Sequence, residues 1–129
     1  PLIRALYAWP AELFEIQDLR DRSYLAIYLA ILGDVSLITG VFPLAIISML
    51  RDLETRAEEL AHDFERGKLS CAGNLTPAQQ AFFGHGLQAR PDLAARLKRV
   101  HDAPIAEKTA LAWPSLALVC IWNSPSREL

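Results

Sequence analysis

Cysteine is scarce in this chain: Cys71 and Cys120 are the only two in 129 residues. They lie far apart, form no C-x-x-C pair and have no histidine at ligand spacing. That excludes a disulfide scaffold and argues against a metal site. Both read as free thiols in a reducing compartment, in keeping with a cytoplasmic protein. Charge of one sign is missing as well. The 13 basic and 15 acidic residues are interspersed and leave a net charge of −2. There is therefore no basic stripe for nucleic acid and no acidic tail. Nothing matches the phosphate loops G-x-x-x-x-G-K-[ST] and G-x-G-x-x-G, or the nucleophile elbow G-x-S-x-G. No secretory leader is expected, because Arg4, Trp9, Pro10 and Glu12 interrupt the apolar core that one requires. Pro1 could serve as a tautomerase-type base only if a strand opened the chain, and Trp9-Pro10 breaks it early. The plainer reading is that the reading frame simply starts there.

Long uninterrupted apolar runs are also wanting, although one stretch comes near. From Tyr24 to Leu50 the only charge is Asp34. Gly33-Asp34 divides that stretch, and Gly40 and Pro43 follow, leaving pieces of roughly 10 residues where a spanning helix needs ~20. A carboxylate at the bilayer centre would cost on the order of 2.5–3.5 kcal/mol. A soluble helix, turn and strand explain the same residues, so the sequence argues against a membrane protein.

What is present is a core. Hydrophobic residues make up 52% of the chain and charged residues 22%, which excludes disorder. The length suits one domain, and the apolar content is more than such a chain hides alone. Gly33 reads as the stop of a helix from Ser23 to Leu32, capped by Asp21 or Ser23. "VSLITGVF" (Val35 to Phe42) is β-branched and apolar on both faces, the pattern of a buried strand. Pro43 opens the longest helix, Pro43 to Arg66. Ile46, Ile47, Leu50, Leu53, Ala57, Leu60, Ala61 and Phe64 form its apolar face. Arg51, Asp52, Glu54, Arg56, Glu58, Glu59, Asp63 and Glu65 form its wet side, and Gly67 ends it. "TPAQ" (Thr76 to Gln79) is a capping box with proline at the first helical position. Short helices follow from Pro91 and Pro104, and Trp113-Pro114-Ser115 turns into a second apolar strand, Leu116 to Trp122. The order predicts a helix-rich α/β fold, with two parallel buried strands in one sheet and helices packed on it. Two strands make a poor sheet alone, so the pattern calls for neighbours.

His62 and His101 sit on helix flanks and His85 between Gly84 and Gly86; the three share no motif, and solvated positions explain them. The strand ends are more informative. In open α/β sheets ligands gather outside the carboxyl ends of the strands. Here these are "VFPL" (Val41 to Leu44) and "IWNSPS" (Ile121 to Ser126). Parallel neighbours would open both on one side, with Phe42 and Leu44 as an apolar wall and Asn123, Ser124 and Ser126 as small polar groups. That combination suits a small organic ligand. A core Phe42 and an ordinary Asn-Ser-Pro-Ser turn explain the same residues.

Several segments resemble one family, in the right order along the chain. "VFPLAIISMLRDLETRAEELAHDFERGKLS" (Val41 to Ser70) is similar to a strand, an aromatic turn and a long helix of the auxin-responsive Gretchen Hagen family of acyl-acid amido synthetases. "LTPAQQAFFGHGLQARPDLAARLKRV" and "LAWPSLALVCIW" resemble its next helical segment and strand, and "YLAIYLAIL" the helix before the first strand. The resemblance implies the middle of a large adenylate-forming N-terminal domain. Its parent would use ATP and Mg²⁺ to activate a carboxylic acid, then pass the acyl group to an amine or amino acid. Phe42 and Leu44 would fall where the family lines its acyl-acid pocket, and Trp122, Asn123 and Ser124 in the loop entering the site. The family's Ser/Thr-Gly-rich phosphate motif, its Tyr-x-Ser-Ser-Glu-like motif and its C-terminal domain are not in this chain. The loop reads Asn-Ser-Pro-Ser where plant members carry a Thr-Gly-Ser-Met-like run. The resemblance thus implies that the chain alone is inactive and binds no cofactor. The competing expectations are a non-enzymatic interaction domain, whose surplus apolar surface docks a partner, and a small membrane-associated protein.

Overall fold

A computed structural model describes residues 8–40 and 43–121. After a 3-10 turn at Ala11–Glu15, helix α1 runs Leu19–Leu32, strand β1 Leu37–Gly40 and helix α2 Pro43–Arg66. A second 3-10 turn, Ser70–Asn74, leads to α3 (Pro77–Gly84), α4 (Pro91–Lys98) and α5 (Ile105–Ala112), and strand β2 spans Leu118–Ile121.

Helix α1 starts before the expected Ser23. Its cap is Asp18, whose carboxylate accepts the backbone N–H of Arg20 at 2.8 Å and of Asp21 at 3.1 Å. Asp21 is instead buried within the first turn, and the Ser23 hydroxyl donates to Asp52 on α2 at 2.7 Å. Beyond its polar first turn the helix is apolar all round, and Tyr24, Leu25, Ile27, Tyr28, Ala30 and Ile31 are all buried. Gly33 follows as the C-cap with ordinary helical dihedrals, while Asp34 takes the left-handed turn at φ 46°.

Helix α2 has the bounds read from the sequence. Leu53, Ala57, Leu60, Ala61 and Phe64 are buried, and the Phe64 ring stacks on Tyr28 with centroids 4.2 Å apart. Ile46 is buried as well and Leu50 packs against the core, whereas Ile47, read as part of the apolar face, is 43% exposed. Gly67 ends the helix at φ 65°, and a Cβ there would lie 2.6 Å from Ala89 N and from Gln88 C. Only glycine fits so close a passage. The Thr76 capping box forms as read, with Gln79 N–H donating to Thr76 Oγ1 and Thr76 N–H to Gln79 Oε1. Helices α4 and α5 are tied back to α2 by Lys98–Glu65 and Lys108–Glu54 ion pairs.

The strands pair in parallel, in the register Leu37↔Leu118, Ile38↔Val119, Thr39↔Cys120 and Gly40↔Ile121. Parallel pairing in one sheet is as expected; burial is not. Leu37 is 50% exposed, Leu118 55%, and Val119 and Ile121 43% each. Of the β1 side chains, Ile38 packs against the core, and every residue of β2 is exposed. The reason is coverage. A parallel strand is buried when helices cover both faces, and the packed helices here cover one side of β1 and neither side of β2. Both strands start two residues later than expected, at Leu37 rather than Val35 and at Leu118 rather than Leu116, and the expected ends at Phe42 and Trp122 lie outside the described residues.

Candidate functional site

The parallel register sets Gly40 beside Ile121, so both strands deliver their chain at the same edge of the sheet. Helix α2 begins three residues after Gly40, which brings the positive end of its dipole to that edge. Leu44, on its first turn, is 74% exposed and stands free on the surface there. Phe42, Trp122, Asn123, Ser124 and Ser126 lie outside the described residues. Of the six residues that the sequence nominates, Leu44 is thus the one given a place, exposed on the first turn of α2.

The other end of the sheet is held by a side chain the sequence reading passed over. Asp34 accepts two hydrogen bonds from Ser115: the hydroxyl at 2.6 Å on one carboxylate oxygen and the backbone N–H at 3.2 Å on the other. The Ser36 carbonyl then accepts from Ala117 N–H at 2.8 Å and Leu118 N–H at 3.3 Å, and the ladder begins. The Ser115 hydroxyl, with its backbone N–H, holds the Asp34 carboxyl below its usual range.

A second polar cluster joins α1, α2 and the Ser70–Asn74 turn. At its centre Asp63 is fully buried, although it belongs by sequence to the wet side of α2. Its Oδ2 accepts from the Tyr24 hydroxyl at 2.5 Å and from Ser70 N–H at 2.8 Å, and its Oδ1 faces the Arg66 guanidinium at 3.6 Å. At ~100° per residue, Asp52, Arg56, Glu59 and Asp63 share one flank of the helix, and that flank faces α1. Arg56 lies over the Tyr24 ring, 4.3 Å from its centroid, donates to the Arg20 carbonyl at 3.0 Å and forks onto Glu59. Burial, with Asp63 as acceptor, pushes the Tyr24 hydroxyl far up, and burial lifts the Cys71 thiol to about 11. Burial also works to raise Glu59, but Arg56 and the Ser70 hydroxyl outweigh it and hold its carboxyl below the ordinary range.

Outside this cluster a groove of about 470 Å³ opens between Arg20, Asp52, Thr55, Arg56 and Glu59. Its two cations and two carboxylates balance, and Arg56 and Glu59 are already committed to each other. The shifts in the cluster move Tyr24, Cys71 and Glu59 away from neutral pH, opposite to what proton transfer requires. It therefore works as a clamp between helices. Among the described residues, no group of three or more His, Cys, Asp and Glu is placed to hold a metal ion. No helix among them is long and apolar enough to cross a membrane. His62, His85 and His101 are exposed, as solvated positions should be.

Of the chain, residues 1–128 match a family model described as GH3 family N-terminal domain. No curated protein and no solved structure matches it.

Proposed function

The chain belongs to the GH3 family of auxin-responsive acyl-acid amido synthetases, through sequence of its N-terminal domain, and from that premise we propose that it is part of an acyl-adenylate-forming ligase. Such a ligase activates a carboxylic acid with ATP and Mg²⁺ and transfers the acyl group to an amine or amino acid. The observation that carries this reading is the family match over residues 1–128. The sheet geometry supports it. Two parallel strands reach Gly40 and Ile121 side by side, and in open α/β sheets ligands gather beyond the carboxyl ends of such strands. On this reading Phe42 and Leu44 line the acyl-acid pocket, and Trp122, Asn123 and Ser124 belong to the loop entering it.

The described residues do not fit ATP or Mg²⁺: there is neither a phosphate loop in the sequence nor a metal-holding cluster among them. Those groups belong to other parts of the ligase, and the contribution of this chain is to shape and orient the acid. The 129 residues alone are accordingly inactive, and the whole ligase works in the cytoplasm. Incorporation of labelled pyrophosphate into ATP by the complete protein, dependent on an added carboxylic acid, tests the reading. Acid-dependent exchange supports it. Exchange by the 129-residue chain alone would overturn the division of labour, and none by the complete protein would overturn the ligase.

One observation favours a second reading. Leu37, Leu44, Leu118, Val119 and Ile121 leave apolar surface open around the sheet, as an interaction domain would. A defined partner bound by a complete protein that adenylates no acid would select it.

A further inference from the structure

A second groove, of about 260 Å³, lies where the chain leaves α2, between Gly67–Leu69, the Ser70–Asn74 turn and helix α3. Its floor is aliphatic. Leu75 there is buried, and Leu69 and Leu87 pack against the core. Contacts already in place hold the walls. Gly67 runs hard against the backbone of Gln88 and Ala89. The Gln80 amide donates to the Ala72 carbonyl at 2.8 Å and to the Leu75 carbonyl at 3.1 Å, tying α3 to the turn before it. A groove fixed in this way spares an occupant the cost of ordering it.

One charge borders this apolar surface. Lys98 and Lys108 are committed to Glu65 and Glu54. Lys68, in the lining of the groove, has no ion pair or side-chain hydrogen bond among the described residues. Its ammonium is a compact point charge on a flexible four-carbon stem, free to settle on an anion at the rim. The groove beside Arg56 is different, because its charges balance. Here a hydrocarbon floor and an unanswered cation call for hydrocarbon and negative charge in one molecule.

We propose that this groove binds a free single-chain amphiphile with an anionic head, its chain on Leu69, Leu75 and Leu87 and its head on the Lys68 ammonium. The volume is below the ~300–1,000 Å³ of drug-sized pockets, which suits one short chain and not the two of a membrane lipid. The groove shares no residue with the strand ends, and the proposal stands without the ligase reading.

Two variants of the complete protein test the floor and the charge separately. Gly84 lines the groove at the end of α3, and a Cβ there meets nothing within 4 Å, so Gly84→Leu fills the space without strain. Lys68→Gln removes the cation and keeps most of its stem. Binding of hexanoate, octanoate, octanol and octyltrimethylammonium is measured by calorimetry without ATP, below micelle-forming concentrations, alongside melting temperature. Affinity should rise about fourfold for each methylene that the groove covers, so octanoate should exceed hexanoate by roughly tenfold. Gly84→Leu should weaken octanoate by about tenfold or more with no loss of melting temperature, since two or more methylenes lose their contact. Lys68→Gln should weaken octanoate by about threefold to fivefold, the worth of an exposed ion pair, and leave octanol unchanged. Octyltrimethylammonium should bind more weakly than octanol. Octanoate binding that neither variant alters belongs elsewhere and overturns the proposal, as does the absence of any binding by the wild type. Equal binding of octanoate and octyltrimethylammonium overturns the anionic head. Phosphatidylglycerol vesicles that sediment the protein in a Lys68-dependent way, while octanoate does not bind, would assign the groove to a membrane lipid and overturn the free amphiphile.

Discussion

Replacing Tyr24 by phenylalanine removes one oxygen from the middle of the helix clamp and leaves the ring in place. The hydroxyl is a buried donor to a fully buried carboxylate. A hydrogen bond to a charged group contributes about 1.5–3 kcal/mol net, and no cavity of consequence is made, so the loss should be about 2 kcal/mol. Asp63→Ala should cost more, about 3–5 kcal/mol, because it strands the Tyr24 hydroxyl and Ser70 N–H together and leaves Arg66 without its partner. Urea unfolding followed by the fluorescence of buried Trp113 reads both. With a slope near 2 kcal/mol/M, Tyr24→Phe should lower the midpoint by about 1 M. A Tyr24→Phe midpoint indistinguishable from wild type would refute the reasoning, since it would mean that Asp63 is solvated or repaired by another donor. An Asp63→Ala variant milder than Tyr24→Phe would refute it equally.

Two further predictions concern the same core. The Cys71 thiol is raised by burial from 9.0 to about 11 and the Tyr28 hydroxyl, also by burial, from 10.0 to about 12. Both ionise first in the unfolded chain, so their contribution is whole below pH 9 and is lost as pH climbs toward those folded values. Stability should fall by about 1.4 kcal/mol per pH unit for each group in its window. Urea midpoints at about pH 8, 9, 10 and 11 check this, and Cys71→Ala should flatten the first limb, between about pH 9 and 10; an equal fall in that variant would acquit the thiol. Gly67→Ala forces a Cβ to within 2.6 Å of backbone at φ 65°, where the left-handed conformation alone costs about 1–2 kcal/mol. Gly86, at φ 72° with open space around it, should lose only that conformational part on the same change. Thermal melts of the two variants should therefore differ, and equal shifts would show that the 88–89 segment yields.

Much of the helical frame was legible because its signals are local. Pro43, Gly67 and Thr76-Pro77-Ala78-Gln79 act within one turn of themselves, and each does what its chemistry dictates. The parallel sheet was legible from the order of apolar and helical segments. The rest depends on neighbours. Asp18 displaced Asp21 and Ser23 as the α1 cap because those two are engaged elsewhere, one buried and the other on Asp52. Asp63 counts as wet by periodicity, since it sits about 100° from Phe64, and only the docking of α1 along that flank buries it. Strand burial was overestimated because an apolar sequence records what the complete sheet needs, whereas exposure records which helices are at hand. At the site, Leu44 is the one nominated residue with a described place, and the Asp34–Ser115 contact, which joins residues 81 apart, carries no local motif.

The Asp34–Ser115 contact joins residues 81 apart in the chain, and this sets a timetable for folding. Loops of that length close only after the local elements within them have shortened the distance, so the sheet forms late and the helices early. On a ribosome adding about 5–20 residues per second, β1 waits roughly 4–16 s for its partner to be made. Throughout that interval Leu37–Gly40 is an apolar strand with both edges unpaired, the form most open to pairing with another nascent chain. The carboxylate of Asp34, fixed next to that strand, is then also its nearest charge against such pairing until Ser115 arrives to claim it.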